Sequence, residues 1–297
     1  KLDADDLLQG GSAVRIQGDI KGGVLIDAPP ADLDPKDADE DKDGVPDAQE
    51  TTGTLTVYGA APALSVGSAS RTVRLGAGAA GFGLDIRGVV QAQGVYDAVT
   101  ATGVQLGGQG QAVILDGGVR VSGQVIATAA KADAAALRFG AGANAPILAN
   151  SGTLKATSTE TASVQAVRIE AGAVLPTLNN TGAITAGVTG AKGNATAILD
   201  AAGAIRTLTN TNQIAASVTK TGSDPVTGRA IALDLRANTA GVTVRQSANA
   251  ASAITPAITG DVLFGAGAAR LELLAGKLDG AVAFGAGADV LVIDGGA

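Results

Sequence analysis

The chain has 297 residues, 46% of them apolar, with 43 Gly, four Phe, two Tyr and no Trp, Met, Cys or His. That apolar content excludes general disorder, and the missing His and Cys exclude Ser-His and Cys-His nucleophilic sites and any disulfide framework. A net charge of −7, with no basic stripe and few aromatics for base stacking, argues against nucleic acid as a partner.

The chain opens at Lys1 without an initiator Met, n-region or h-region, so an export signal is expected to have been removed or to lie outside this sequence. Residues 1–30 contain β-like runs at 13–16 and 24–26, closed by Ala28-Pro29-Pro30, and are expected to form an N-terminal β segment or first coil. Residues 31–52 are an acidic insert. Within 31–50, nine acidic residues stand against two lysines, so this window carries −7 and the rest of the chain is neutral.

Inside the insert, Asp39-Glu40-Asp41-Lys42-Asp43-Gly44-Val45-Pro46-Asp47-Ala48-Gln49-Glu50 satisfies a twelve-residue calcium-loop pattern. The expected metal ligands are the carboxylates of Asp39, Asp41, Asp43, Asp47 and Glu50 and the carbonyl of Val45, with Gly44 supplying the sharp turn at the sixth position. Five neighbouring carboxylates repel one another without a cation, and an all-oxygen donor set calls for Ca2+. Thr51-Thr52-Gly53 stands where the exiting helix of an EF-hand would begin, and Pro46 lacks the NH that pairs two such loops. The phrase D-K-D-G-V-P-D is closer to the aspartate-rich calcium repeats of thrombospondin type 3 modules. The competing reading is a solvated acidic linker.

From residue 53 onward, short runs rich in Val, Ile, Leu and Thr recur between Gly, Asn and Asp at 55–58, 72–75, 113–115, 119–121, 125–127, 167–169, 242–244 and 271–274. None has the 3.6-residue period of a helix. The phrases L-A-N-S-G-T-L from Leu148, L-N-N-T-G-A-I from Leu178 and L-T-N-T-N-Q-I from Leu208 are spaced by thirty residues, so Asn150, Asn180 and Asn210 fall in one column. Such a column reads as an amide ladder that satisfies buried side chains and locks register. A twenty-residue repeat follows, in which the phrase from Gly260 through Phe264 to Ala268 returns from Gly280 through Phe284 to Ala288.

These units predict an all-β fold, a parallel β-helix over residues 53–297 of ~8 to 11 coils and ~40–50 Å, with the acidic loop inserted near its start. The polar stretches 157–165, 187–196 and 217–229 occupy equivalent phase and are expected on one side of the stack. No apolar run of eighteen residues suggests a membrane-spanning helix, and six aromatics cannot supply the girdles of a membrane barrel.

The F-G-A-G-A-D-x-L-x-I-x-G-G-A phrase from Phe284, its partner from Phe264, and the N-[ST]-G-x-[LI] phrases at Asn150 and Asn180 resemble the passenger domains of bacterial autotransporters. The resemblance covers most of residues 53–297. It implies a non-enzymatic β-helix at the cell surface of a Gram-negative bacterium or secreted from it, acting in adhesion or as a structural spacer. The implied partners are a cell-surface or extracellular-matrix ligand, and the outer membrane only through a translocator barrel absent from this chain. Ala297 falls mid-rhythm, which implies further sequence in the parent. Unpaired strand edges at the coil ends point to self-association.

Two alternatives belong to other classes: a β-helical polysaccharide-active enzyme, lyase or hydrolase, and a filament or surface-layer subunit. For the enzyme, Glu170 and Asp200 lie thirty residues apart and stacking would bring them to roughly 5 Å, near the separation in retaining glycosidases. Against it, aliphatic-Asp pairs recur at Asp27, Asp85, Asp116, Asp200, Asp234 and Asp294 and read as strand-to-turn punctuation, so no catalytic residue is assigned. Gly285 to Leu291 resembles a calcium-binding RTX nonapeptide. Ala269 stands where Asp289 recurs, however, and a plain glycine corner is the better reading.

Overall fold

The computed structural model describes residues 10–30, 34, 36–39, 42, 44–220 and 222–295. Its strands stack into three long parallel sheets of nine, nine and eight strands and a short fourth sheet of three. Each coil contributes one strand to each long sheet in turn, the pattern of a parallel β-helix. Nine coils at ~4.8 Å per strand spacing give a rod of about 40 Å. Val14–Ile16 opens the first sheet against Leu64–Val66, Val24–Ile26 opens the second against Leu84–Ile86, and Thr54–Tyr58 opens the third against Val89–Asp97. Among the described residues, no helix is long and apolar enough to cross a membrane.

Alternation along each strand decides what enters the core, because successive side chains point to opposite faces. In the second sheet the inward column runs Val24, Leu84, Val119, Leu148, Leu178, Leu208, Val244, Leu271 and Leu291. In the third sheet, Val90, Val125, Leu154, Ile184, Ile214 and Ile258 form a bulky column beside a thin one of Ala92, Ala127, Ala156, Ala186 and Ala216. All eleven residues of these two columns are buried. The pairing of a large with a small column lets the facing sheets approach closely, which is why the core needs so few aromatics. Where the coil shortens to twenty residues, Phe264 and Phe284 stack with ring centroids 5.1 Å apart and planes 7° from parallel.

The N-[ST]-G phrase has a structural reason at each letter. Asn150, Asn180 and Asn210 point inward, and their Nδ2 atoms donate to Asn180 Oδ1, Asn210 Oδ1 and Gln246 Oε1 at 2.7, 2.8 and 2.9 Å. Gln246 Nε2 closes the ladder on the carbonyls of Ala275 and Lys277, each at 3.0 Å. The next two residues turn the corner, and both of their NH groups donate to the carbonyl one coil earlier: Ser151 and Gly152 to Val121, Thr181 and Gly182 to Asn150. A Cβ on Gly152 would lie 2.0 Å from the Gly123 oxygen, and one on Gly182 2.2 Å from the Gly152 oxygen. Backbone therefore stacks on backbone at Gly152 and Gly182, where glycine leaves the room, and Asn212 takes the same place in the next coil.

In the last coil, Leu291 and Ile293 continue buried columns but are themselves 49% and 56% exposed. Gly285 stacks on Gly265 in the same way as the other corners, and Asp289 Oδ1 accepts the Ala269 NH at 2.8 Å.

Candidate functional site

The acidic insert leaves the first coil after Val24–Ile26 and returns at Thr54–Tyr58, so it projects from the corner between the second and third sheets. Of its sequence-predicted ligands, Asp39, Val45, Asp47 and Glu50 are described, whereas Asp41 and Asp43 lie outside the described residues. The Gly44 NH donates to Asp39 Oδ2 at 3.2 Å, and Gly44 takes φ +90°, the left-handed conformation expected of the sixth loop position. Asp39 Oδ1 is shielded from solvent and accepts no hydrogen bond within the described residues. A shielded carboxylate oxygen left open beside a turned glycine fits a cation ligand. The chain then enters a single 3-10 turn, Asp47–Gln49, rather than an α-helix. No three His, Cys, Asp or Glu side chains converge on one point among the described residues.

Between the insert and the rod lies a groove of about 850 Å³ lined by Asp27, Pro30, Val45, Glu50, Arg87 and Ser122, among others. Arg87 is engaged there by Asp27 at 3.3 Å and Asp85 at 3.1 Å. The insert thus lies along the side of the second and third coils.

The proposed carboxylate pair does not form. Register pairs Asp200 with Ile169, not with Glu170, because this arc of the coil repeats at thirty-one residues rather than thirty. Asp200 consequently turns into the core, 1% exposed, and accepts the NH groups of Ala204 and Ile205 at 3.0 and 2.9 Å. Glu170 is bound by Arg138 at 2.7 Å and approached by Arg168 at 3.1 Å. The strand-to-turn reading holds for Asp27, Asp116, Asp200 and Asp294, each at or just past a strand end, but not for Asp85 and Asp234, which sit within strands. Asp85 holds Arg120 through two hydrogen bonds of 2.8 and 2.6 Å, and Asp234 holds Arg236. The hydrogen bonds that Arg120 donates to Asp85 raise the Arg120 pKa above its ordinary value.

The three polar stretches do share a corner, between the third and first sheets, although strand runs well into each of them. There Lys131 lies 2.9 Å from Asp97 and 3.2 Å from Glu160, and these contacts, Asp97 first, hold its ammonium protonated above the usual lysine range. Glu160, Gly190, Lys192 and Asp224 line a smaller groove of about 270 Å³ at the same corner.

A distinction that residue-by-residue reading of the sequence missed is one between faces. Ion pairs occupy the first and second sheets and the corners, while the outward face of the third sheet is built mostly from Thr, Gln, Ser and Ala, with Tyr58, Ile126 and Lys155 among them. The signal was present in the alternation Q-A-Q at Gln91 and Q-V-I-A-T at Gln124, once these segments are aligned as third strands of successive coils. No family model, curated protein or solved structure matches this chain.

Proposed function

We propose that this chain is a non-enzymatic surface rod of the autotransporter-passenger kind, displayed on or secreted from a Gram-negative cell, acting in adhesion or as a spacer. The observation that carries the reading is the continuous parallel stack of nine coils, in which polar side chains inside the stack serve the stack itself. Asn180 and Asn210 are spent on the ladder and Asp200 on backbone NH groups. A rod of this kind holds whatever its side faces bind at a fixed distance along its axis.

Calcium belongs to the same proposal. Asp39, Asp41, Asp43, Asp47 and Glu50 with the Val45 carbonyl would hold one Ca2+, which neutralises the densest charge in the chain and stiffens the insert against the rod. The open Asp39 oxygen and the Gly44 turn support this assignment.

Beads coated with the chain, washed over cell layers and extracellular matrix, test the surface role, alongside turnover assays on pectic, uronic and neutral polysaccharides. Retention without turnover is expected of an adhesin, and neither of a pure spacer. Turnover that disappears in Glu170→Gln or Asp200→Asn would overturn the non-enzymatic reading. Calorimetry should find one calcium per chain, and no difference between the parent and Asp41→Ala/Asp43→Ala would remove the ion.

A further inference from the structure

The outward face of the third sheet is parallel, with a register shift after Thr128, and across the first seven coils, between its corners, it carries one charge, Lys155. At one end of this face four side chains share a column on adjacent strands: Tyr58, Gln93, Thr128 and Thr157. Gln91 and Gln124 flank them on the same face. Tyr58 is 53% exposed. The amides of Gln91, Gln93 and Gln124 make no hydrogen bond within the described residues, in contrast to the fully engaged ladder amides on the opposite side of the backbone.

We infer that this patch binds a neutral, linear polysaccharide laid along the rod axis. An exposed tyrosine offers a ring face for stacking and a hydroxyl for hydrogen bonding, and uncommitted amides offer a donor and an acceptor each. Hydroxyl-bearing sugars use both kinds of group. Strands repeat every ~4.8 Å across the sheet, and pyranose units in an extended β-linked chain advance by nearly that interval, so one sugar lies over each coil, successive sugars of a β-1,4-linked chain presenting alternate faces. The column from Tyr58 to Thr157 crosses four strands and would seat about three or four units. The column itself carries no charge, so a uronic or sulfated polymer would meet one cation at most, Lys155 beside Thr157, and would leave its other charges without a counter-ion. A second copy of the chain fits less well, because a two-fold face-to-face arrangement centred on the fourth coil would set Lys155 against its own image.

This assignment rests on the adhesive reading and names the ligand class for it. The test titrates the full chain with hexamers of β-1,4-linked glucose and of β-1,4-linked N-acetylglucosamine, with oligogalacturonate as the charged comparison. At least one neutral hexamer is expected to bind, at least tenfold more tightly than oligogalacturonate. Tyr58→Ala should weaken it by about five- to tenfold. Thr157→Lys, exposed on a regular strand, should weaken it as well, whereas Arg138→Ala on the first sheet should leave it unchanged; circular dichroism checks that each variant is folded. No binding of any neutral hexamer at millimolar concentration would overturn the inference, as would binding lost in Arg138→Ala but kept in Tyr58→Ala and Thr157→Lys. Concentration-dependent dimers abolished by Thr157→Lys, without glycan binding, would assign the face to a second copy instead. Bead retention that survives while every neutral hexamer fails would sink the glycan assignment and leave adhesion standing.

Discussion

Asn180 and Asn210 are fully buried, and each amide is bonded to the coils on both sides. Residues 39–50 present the reverse situation, with Asp39, Asp47 and Glu50 among six acidic residues that Lys42 alone opposes. The body of the rod satisfies its polar groups by repeating itself, since each coil supplies the partner the next one needs. The insert has no neighbouring copy to turn to, and under the calcium proposal its charge is offset by an ion from outside the chain. Stability in the two regions should therefore respond to different perturbations.

The body should break most severely where backbone stacks on backbone. Gly152→Val places a side chain where even a Cβ would lie 2.0 Å from the Gly123 oxygen, and should destabilise by at least about 4 kcal/mol or abolish cooperative unfolding in urea. The ladder should come next. Asn180→Ala strands the Asn150 donor and the Asn210 acceptor and should lower stability by about 3 kcal/mol. Replacing Asn150, Asn180 and Asn210 by Val together with Gln246→Leu should recover more than half of that loss, because removing both partners of a buried bond is far milder than removing one. Failure to recover would mean that the amides chiefly serve their corner carbonyls rather than one another.

Chelating calcium should act on the other region. Trypsin should then cut faster at Lys36 and Lys42, while the urea midpoint of the body moves by less than the equivalent of about 1 kcal/mol. The smallest effect is expected from pH. The hydrogen bond from Arg270 holds the Glu272 carboxyl below its ordinary value, with further help from Arg245. A depressed folded value means that the contribution is complete above the ordinary glutamate range and is lost as pH falls through the folded value. Glu272→Gln should remove that acid sensitivity and change stability near neutral pH by under about 1 kcal/mol, since both arginines are half exposed.

Much of the body was legible in the sequence because its signal is periodic. The columns Leu148, Leu178, Leu208 and Asn150, Asn180, Asn210 stand in the register that their thirty-residue spacing predicts. Strands with weak intrinsic signal were harder to see: Ala134–Phe139 begins with three alanines and is held extended by pairing on both sides rather than by propensity. The carboxylate pair failed for a related reason. One additional residue in the turn before Asn194 shifts the register, and a one-residue slip sends Asp200 inward while Glu170 remains at the surface. The calcium-loop phrase is legible as chemistry, but two of its six expected ligands, Asp41 and Asp43, lie outside the described residues. The neutral face could not be read before the third strands were aligned, because its members are ordinary residues individually and distinctive only together.

The central claim is that one rod holds itself together without a ligand while carrying an insert that does not. Hydrogen exchange followed by mass spectrometry, in calcium and in chelator, tests both halves in one experiment. Peptides covering 34–50 should gain protection with calcium, and those covering 148–154, 178–184 and 208–214 should remain equally protected in both conditions. Protection of 34–50 that is indifferent to calcium, or a calcium-dependent change in the ladder peptides as large as that in the insert, would contradict the account.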